Sequence, residues 1–386
     1  MKYVDEYRDG ALARSIAAQI SAAAQGGRVY RFMEFCGGHT HAISRYGIED
    51  LLPANVRMIH GPGCPVCVLP AGRVDQAIRL AMRSEVTLAT YGDVMRVPGS
   101  KGASLTAAKA AGADIRMVYS TSDAIRIARD EPAREVVFFA IGFETTTPPT
   151  AHALRVAREG GLENFSVFCN HVLTPPAIGA VLGGEDADDG VRLDGIVGPA
   201  HVSTVIGTAP YLPFAERHGK PIVVTGFEPL DVMQAILMLV RQCNDGRHEV
   251  ENQYTRAVTP AGNVKAQVEM AEVFELRETF EWRGLGWVPA SALRLKAALA
   301  RYDAERRFSI PDVAVADNPA CECGAILRGV KRPAECRLFG TACTPETPIG
   351  ACMVSSEGAC AAHWTYGRFR EPDARTESGT FERATS

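Results

Sequence analysis

The chain of 386 residues is long enough for two or three domains, each with its own core. A hydrophobic share of 46% is that of an ordinary globular protein, and a formal net charge of −4 without a long basic run argues against nucleic acid as a ligand. No apolar run reaches membrane-spanning length, and Asp5, Glu6 and Asp9 precede the first apolar stretch, which is wrong for an export signal; the expectation is a cytoplasmic protein with no membrane partner and reduced thiols.

From Ala11 to Gln25, Leu12, Ile16 and Ile20 recur every four residues among alanines, which predicts a helix with one apolar stripe. After Gly26-Gly27, short β-rich runs alternate with helical ones. Strands are expected at Val29–Phe35, Val56–His60, Val86–Tyr91, Ile115–Ser120, Val136–Ile141, Phe165–Cys169, Leu193–Val197 and Ile222–Thr225. Helices are expected at Ala71–Arg83, Ser122–Arg129, Ala151–Arg158 and Leu230–Arg241. Near-continuous apolar strands separated by helices predict an α/β fold with parallel sheets covered on both faces. The short echo of Ile141-Gly142-Phe143-Glu144 in Thr225-Gly226-Phe227-Glu228 suggests two similar halves.

The organisation expected is therefore an N-terminal helix packing on the body (residues 1–27), a first α/β domain (28–134) and a second (135–250). A cysteine-rich C-terminal domain with helical elements (251–370) follows. It opens with a helix over Gly262–Arg277 and a loop bearing Trp282 and Trp287, and a frayed polar tail (371–386) ends the chain.

Ligands gather at the carboxyl ends of parallel strands, and the unusual polar motifs fall there. Cys36-Gly37-Gly38-His39-Thr40-His41 follows the first strand as a glycine turn that lets backbone approach a ligand, with two imidazoles fit for metal binding or proton transfer. Cys64-Pro65-Val66-Cys67 follows the second; two thiols at that spacing close a redox disulfide or take two positions on a metal. Gly142-Phe143-Glu144-Thr145-Thr146 follows the fifth and reads equally as a phosphate cradle, as helix capping, or as a buried Glu144 serving as acid or base. Asn170-His171 and His201 also stand at strand ends, while Cys169 and Cys243 read as ordinary buried thiols.

Six further cysteines, Cys321, Cys323, Cys336, Cys343, Cys352 and Cys360, fall within forty residues. Four thiolates complete the cage of a 4Fe–4S cluster and leave a spare pair as a dithiol; a structural zinc is the plainer alternative, and the spare pair favours redox chemistry.

Together FMEFCGGHTH (Phe32–His41), GPGCPVCV (Gly61–Val68), GFETT (Gly142–Thr146), CNHVLTPPA (Cys169–Ala177), GPAHVS (Gly198–Ser203) and the run from Cys321 to MVSSEGACAA (Met353–Ala362) resemble the HypD family of hydrogenase maturation factors. The resemblance covers nearly all of the chain; Val172 stands where lysine is expected in many relatives. It implies two similar α/β domains plus a 4Fe–4S domain like that of ferredoxin–thioredoxin reductase. It also implies a role in building the Fe(CN)₂CO unit of nickel–iron hydrogenases, held transiently, with a small HypC-type chaperone as partner and cyanide delivered by HypE with HypF. By motif, Cys36 would hold the iron with the HypC thiol, and Cys64 and Cys67 would be the nearby redox or iron-binding pair. Cys321, Cys336, Cys343 and Cys360 would hold the cluster, and Cys323 with Cys352 would form the adjacent dithiol. A scaffold that assembles a metal fragment is the first reading. A cluster-dependent dithiol–disulfide oxidoreductase acting on a protein or small substrate is the second.

Overall fold

The computed structural model describes residues 5–184, 191–311 and 315–368; the tail expected over 371–386 lies outside them. The apolar runs fold as strands: β1 (Tyr30–Glu34), β2 (Val56–His60), β3 (Val86–Thr90), β4 (Ile115–Met117), β5 (Glu135–Gly142), β6 (Phe165–His171), β7 (Gly195–Pro199), β8 (Ile222–Thr225) and β9 (Val250–Asn252). They sort into two all-parallel sheets, of order β2-β1-β7-β8-β9 and β4-β3-β5-β6. Strands β1, β3, β5, β6, β7 and β8 are buried along most of their length, as parallel sheets covered on both faces require, while the edge strands β4 and β9 are more open. The α/β expectation with two parallel-sheet lobes holds.

The expected boundary near residue 135 does not match these sheets. β3 pairs with β4 on one side and β5 on the other, so a cut at 135 would split one sheet. The second lobe is an insertion, residues 86–171, into a first lobe drawn from residues 30–60 and 195–252. Apolar runs mark strands but not their neighbours, and crossover connections let the chain leave one sheet and return to it.

Residues 251–311 also belong largely with the lobes and not with the cysteine-rich end. Strand β9 edges the first sheet, and the helix Val264–Val273 packs on the helix Thr147–Glu159. Strand β10 (Phe274–Leu276) is followed by β11 (Thr279–Trp282), β12 (Gly286–Pro289) and β13 (Leu293–Leu295). β10 pairs with β13 beside β6, and β11 with β12 form a hairpin whose buried Trp282 donates its indole N–H to Ser291 Oγ (2.8 Å).

The N-terminal helix Gly10–Ala23, capped by Asp9, packs on the helix Pro229–Asp245 of the first lobe. The cysteine-rich segment carries short helices at Cys323–Leu327 and Ala359–Tyr366. Met33 and Ile59 from the first sheet, Leu88 and Phe139 from the second, and Ile326 and Met353 from the cysteine-rich segment share one apolar core. That core presses the third unit into the angle between the lobes. Among the described residues, no helix is long and apolar enough to cross a membrane.

Candidate functional site

Each sheet has one point at which successive connections leave to opposite sides. In the first it lies between β1 and β7, in the second between β3 and β5, and open parallel sheets bind ligands in such crevices. Cys36 leaves β1, Asp93 follows β3 and Glu144 follows β5. Buried Tyr211, bonded to Ser203 Oγ (3.1 Å), lies within electrostatic range of both Glu144 and Cys36. The two crevices thus open toward each other.

The Cys36 segment is not the expected glycine turn. Cys36 is the N-cap of a helix, Gly37–Tyr46, and the glycines serve close packing. A Cβ on Gly37 would lie 2.4 Å from Glu357 Cβ, and one on Gly38 would lie 2.7 Å from the Phe227 ring. The amides of Gly38 and His39 point at the Cys36 sulfur and favour its thiolate. Burial, with the nearby charges of Glu357 and Glu34, outweighs them and pushes the thiol up. A cation bound there would reverse that balance.

Beneath Cys36, the fully buried Glu34 accepts the Cys36 amide (2.9 Å), the Thr40 hydroxyl and His60 Nδ1 (3.0 Å). Burial raises the Glu34 carboxyl against the pull of His60, and Glu34 in turn raises the partly exposed His60 against burial. Neither Glu34 nor His60 is singled out by sequence reasoning. The available signal is a carboxylate inside an otherwise apolar strand.

Both expected histidines are engaged elsewhere. His39 Nε2 donates to the carbonyls of Thr225 (3.1 Å) and Gly226 (3.0 Å), and burial lowers its pKa to about 4. His39 is therefore a neutral tether between the Cys36 helix and the end of β8, with Nδ1 unpartnered. His41 meets Tyr366 of the cysteine-rich segment edge-on at 5.2 Å.

Cys64 caps the short helix Pro65–Val68, which holds Cys67. The loop before it touches the Cys36 helix: Gly37 N–H donates to Gly63 O (3.0 Å). Cys67 Sγ approaches the carbonyl of Ala351 (3.9 Å), beside Cys352. Burial pushes the Cys67 thiol up, and Cys64, Cys360 and Glu357 add to the effect. Glu357 thus neighbours both Cys36 and Cys67. Arg283, 5% exposed in the β11–β12 hairpin, lies 3.3 Å from Asp317 and donates its backbone N–H to Val68 O (2.8 Å). Its guanidinium stands within range of both Cys67 and Cys321.

In the third unit all six cysteines, Cys321, Cys323, Cys336, Cys343, Cys352 and Cys360, line one small apolar cavity with Ile326, Leu338, Phe339 and Met353. Burial pushes Cys321 up to about 11 and Cys360 higher, and neighbouring thiols contribute to both shifts. Cys323 and Cys352 form a disulfide with their Cα atoms 6.3 Å apart, and Cys352 N–H donates to Cys323 Sγ (3.3 Å). Among the described residues no three His, Cys, Asp or Glu side chains converge to hold a single metal ion. Neither Cys36 with Cys64 and Cys67 nor the cavity cysteines are therefore a ready-made site for a single ion.

The remaining candidates are structural. Thr146 and Thr147 hydroxyls donate back to the carbonyls of Ile141 and Phe143, and Pro148 and Pro149 remove two amides, so the helix start after β5 has little left for a phosphate. Glu144 accepts Thr174 N (2.9 Å) and Oγ1 (3.0 Å), which pins the start of the helix Thr174–Gly183; burial raises its pKa to about 7. His171 is a satisfied core histidine bonded to Thr150 Oγ1 (2.9 Å), and Asn170 Oδ1 accepts Arg73. His201 is exposed and stacks on Phe227 (4.1 Å). Cys169 and Cys243 each donate to a backbone carbonyl.

Residues 11–367 match the family described as "HypD: Hydrogenase formation hypA family". The chain is 73% identical over 373 residues to "Hydrogenase maturation factor HypD" of Rhizobium leguminosarum bv. viciae, covering 96% of this chain and 97% of that one. It is 65% identical to the protein of the same name from Cupriavidus necator, over 96% and 98% of the two chains. Against that of Escherichia coli K12 the identity is 47%, over 97% and 100%. A match across almost the whole length, with every cysteine block inside it, means that this chain belongs to the HypD family of hydrogenase maturation factors.

Proposed function

We propose that the chain is the scaffold on which an Fe(CN)₂CO unit is assembled, with iron shared between Cys36 and a thiol of a small HypC-type partner. Cyanide would arrive from HypE, charged by HypF. The observation that carries this reading is the meeting of three sulfur centres at one crevice: Cys36 on its helix N-cap, Cys64 and Cys67 one backbone contact away, and the Cys323–Cys352 disulfide just behind Ala351. Thiolate is a soft donor suited to low-valent iron carrying diatomic ligands. Cys36 offers one such ligand and leaves the remaining positions to the partner and the diatomics.

Cys321, Cys336, Cys343 and Cys360 would hold a 4Fe–4S cluster. Their placement around an apolar cavity supports a multi-iron group over zinc, whose sulfurs sit about 2.3 Å from one centre. When bound, the cluster supplies single electrons at low potential. The chain's own part is to hold Cys352 against the Cys67 helix, so that a dithiol at Cys323/Cys352 can exchange with Cys64/Cys67. Arg283 between Cys67 and Cys321 offsets the negative charge that such exchange builds. Glu34 fixes the Cys36 amide and thereby the direction of its sulfur.

Anaerobically purified protein with its small partner should show infrared bands of bound cyanide and carbon monoxide, where protein does not absorb. Cys36→Ala should abolish them and keep the brown cluster. Full-strength bands in that variant would place the iron elsewhere. Turnover of a disulfide substrate with neither bands nor partner would favour the oxidoreductase reading.

A further inference from the structure

Both cysteines of the Cys323–Cys352 disulfide are buried and line the small cysteine cavity, but only Cys323, the outer of the two, also borders a larger cleft. Cys352 is fully buried and belongs to the turn that packs on the Cys67 helix. Cys323, 5% exposed, lines an open cleft of about 750 Å³ beside Cys321. Cys352 is not part of that cleft. The wall there is thin because residue 350 is glycine: a Cβ would stand 2.4 Å from Cys321 Sγ and 3.6 Å from Cys323 Sγ. The cleft therefore reaches one end of the disulfide from solvent and ends short of the other.

The volume falls within the range of small-molecule sites, about 300–1,000 Å³. The lining includes Ser100, exposed Lys101 and Ser104 from the 98–106 stretch, with Asn318 and Thr347 from the cysteine-rich segment. Arg96 donates to the carbonyls of Pro345 (2.8 Å) and Val354 (3.1 Å), and Arg283 lies against Asp317 (3.3 Å). With Arg96, Lys101 and Arg283 against Asp317 and Glu346, cations outnumber anions in a lining of hydroxyls and amides. Such a lining suits a small, flexible molecule with carboxylates and peptide groups.

We propose that this cleft admits a low-molecular-weight peptide thiol bearing carboxylates, which reduces the disulfide by attack at Cys323 and not at Cys352. The inference rests on the reading of Cys323 and Cys352 as a working dithiol. The incoming thiolate forms a bond to Cys323 Sγ, and the Cys323–Cys352 bond breaks with its electron pair on Cys352. A second thiol then attacks the mixed disulfide, releases Cys323 and leaves as the oxidised small-molecule disulfide. Two thiols are oxidised, one protein disulfide is reduced, and both protons end on the protein thiols. Electrons thus enter at the outer sulfur, and the inner thiolate is freed on the side that faces Cys67.

The probe is glutathione, used on the full-length protein. Alkylation and peptide mass mapping without reductant first establish whether Cys323 and Cys352 are linked; two free thiols there in air-purified protein would overturn the dithiol reading itself. With oxidised glutathione, Cys352→Ser should gain its adduct on Cys323, and Cys323→Ser should gain at least about ten-fold less on Cys352. Equal or greater labelling of Cys352 overturns the outer-sulfur assignment and leaves the dithiol reading intact. A second test needs no cysteine change. Lys101→Glu should slow reduction by glutathione about five-fold and leave reduction by uncharged 2-mercaptoethanol within about two-fold. Equal slowing of both thiols, or of neither, overturns the cleft as the entry site.

Discussion

Gly63→Ala tests whether the crevice works as one rigid contact. A Cβ at residue 63 would lie 2.3 Å from Cys36 N and 2.5 Å from both Cys36 Cα and Phe35 C. These are backbone atoms, so no side chain can rotate away. Carbon contacts below 3.0 Å essentially do not occur, so the Cys64 loop and the Cys36 helix must part by at least about 0.7 Å. Overpacking of this kind costs about 1–3 kcal/mol. The same movement pulls Cys64 and Cys67 from Cys36, and a displacement near 1 Å in a reacting constellation costs about 100-fold in rate. The assays are urea unfolding and hydrogenase activity in a host lacking its own factor of this family. Gly26→Ala is the control, because nothing lies within 4 Å of a Cβ there. A Gly63→Ala protein with an unchanged midpoint and undiminished hydrogenase maturation would refute the reasoning.

Burial raises the Glu144 carboxyl from 4.5 to about 7, so its favourable protonated form stabilises the fold below pH 4.5 and that stability is lost as pH rises through about 7, on the order of 3 kcal/mol. Glu144→Gln should flatten that limb of the stability–pH curve measured by denaturant unfolding; an unchanged limb would assign the titration elsewhere. Arg73 is buried over Phe168, pairs with Glu305 and bonds Asn170, so Arg73→Met should cost about 3 kcal/mol in urea unfolding, the lower end for a broken buried pair because Arg277 still meets Glu305 (2.8 Å). A loss under about 1 kcal/mol would show that the pair contributes little. Cys343→Ser should bleach the proposed cluster, read as loss of visible absorbance and bound iron, and leave the far-ultraviolet circular dichroism of the two lobes in place. Retention of full iron would remove Cys343 from the ligand set.

The strands were legible because a strand buried on both faces must be apolar along its length, and runs such as Val136–Ile141 carry that mark. The cysteine blocks were legible because clustered thiols have few other uses. Sheet membership was not: β1 and β7 are adjacent in space but more than 160 residues apart in the chain, and no local pattern encodes that pairing. The helix after Cys36 was masked by Gly37 and Gly38, which read as a turn until Glu357 and Phe227 are seen pressed against them. Glu144 looked chemical from its position, and only its bonds to Thr174 revealed a structural anchor. Sequence alone thus determined the main strands of the two sheets and the thiol inventory, which depend on local periodicity and residue chemistry. Tertiary structure alone decided which thiols meet, how Glu34, Arg283 and Glu357 come to surround them, and which cysteine of the Cys323–Cys352 pair borders the open cleft, because these depend on contacts between segments far apart in the chain.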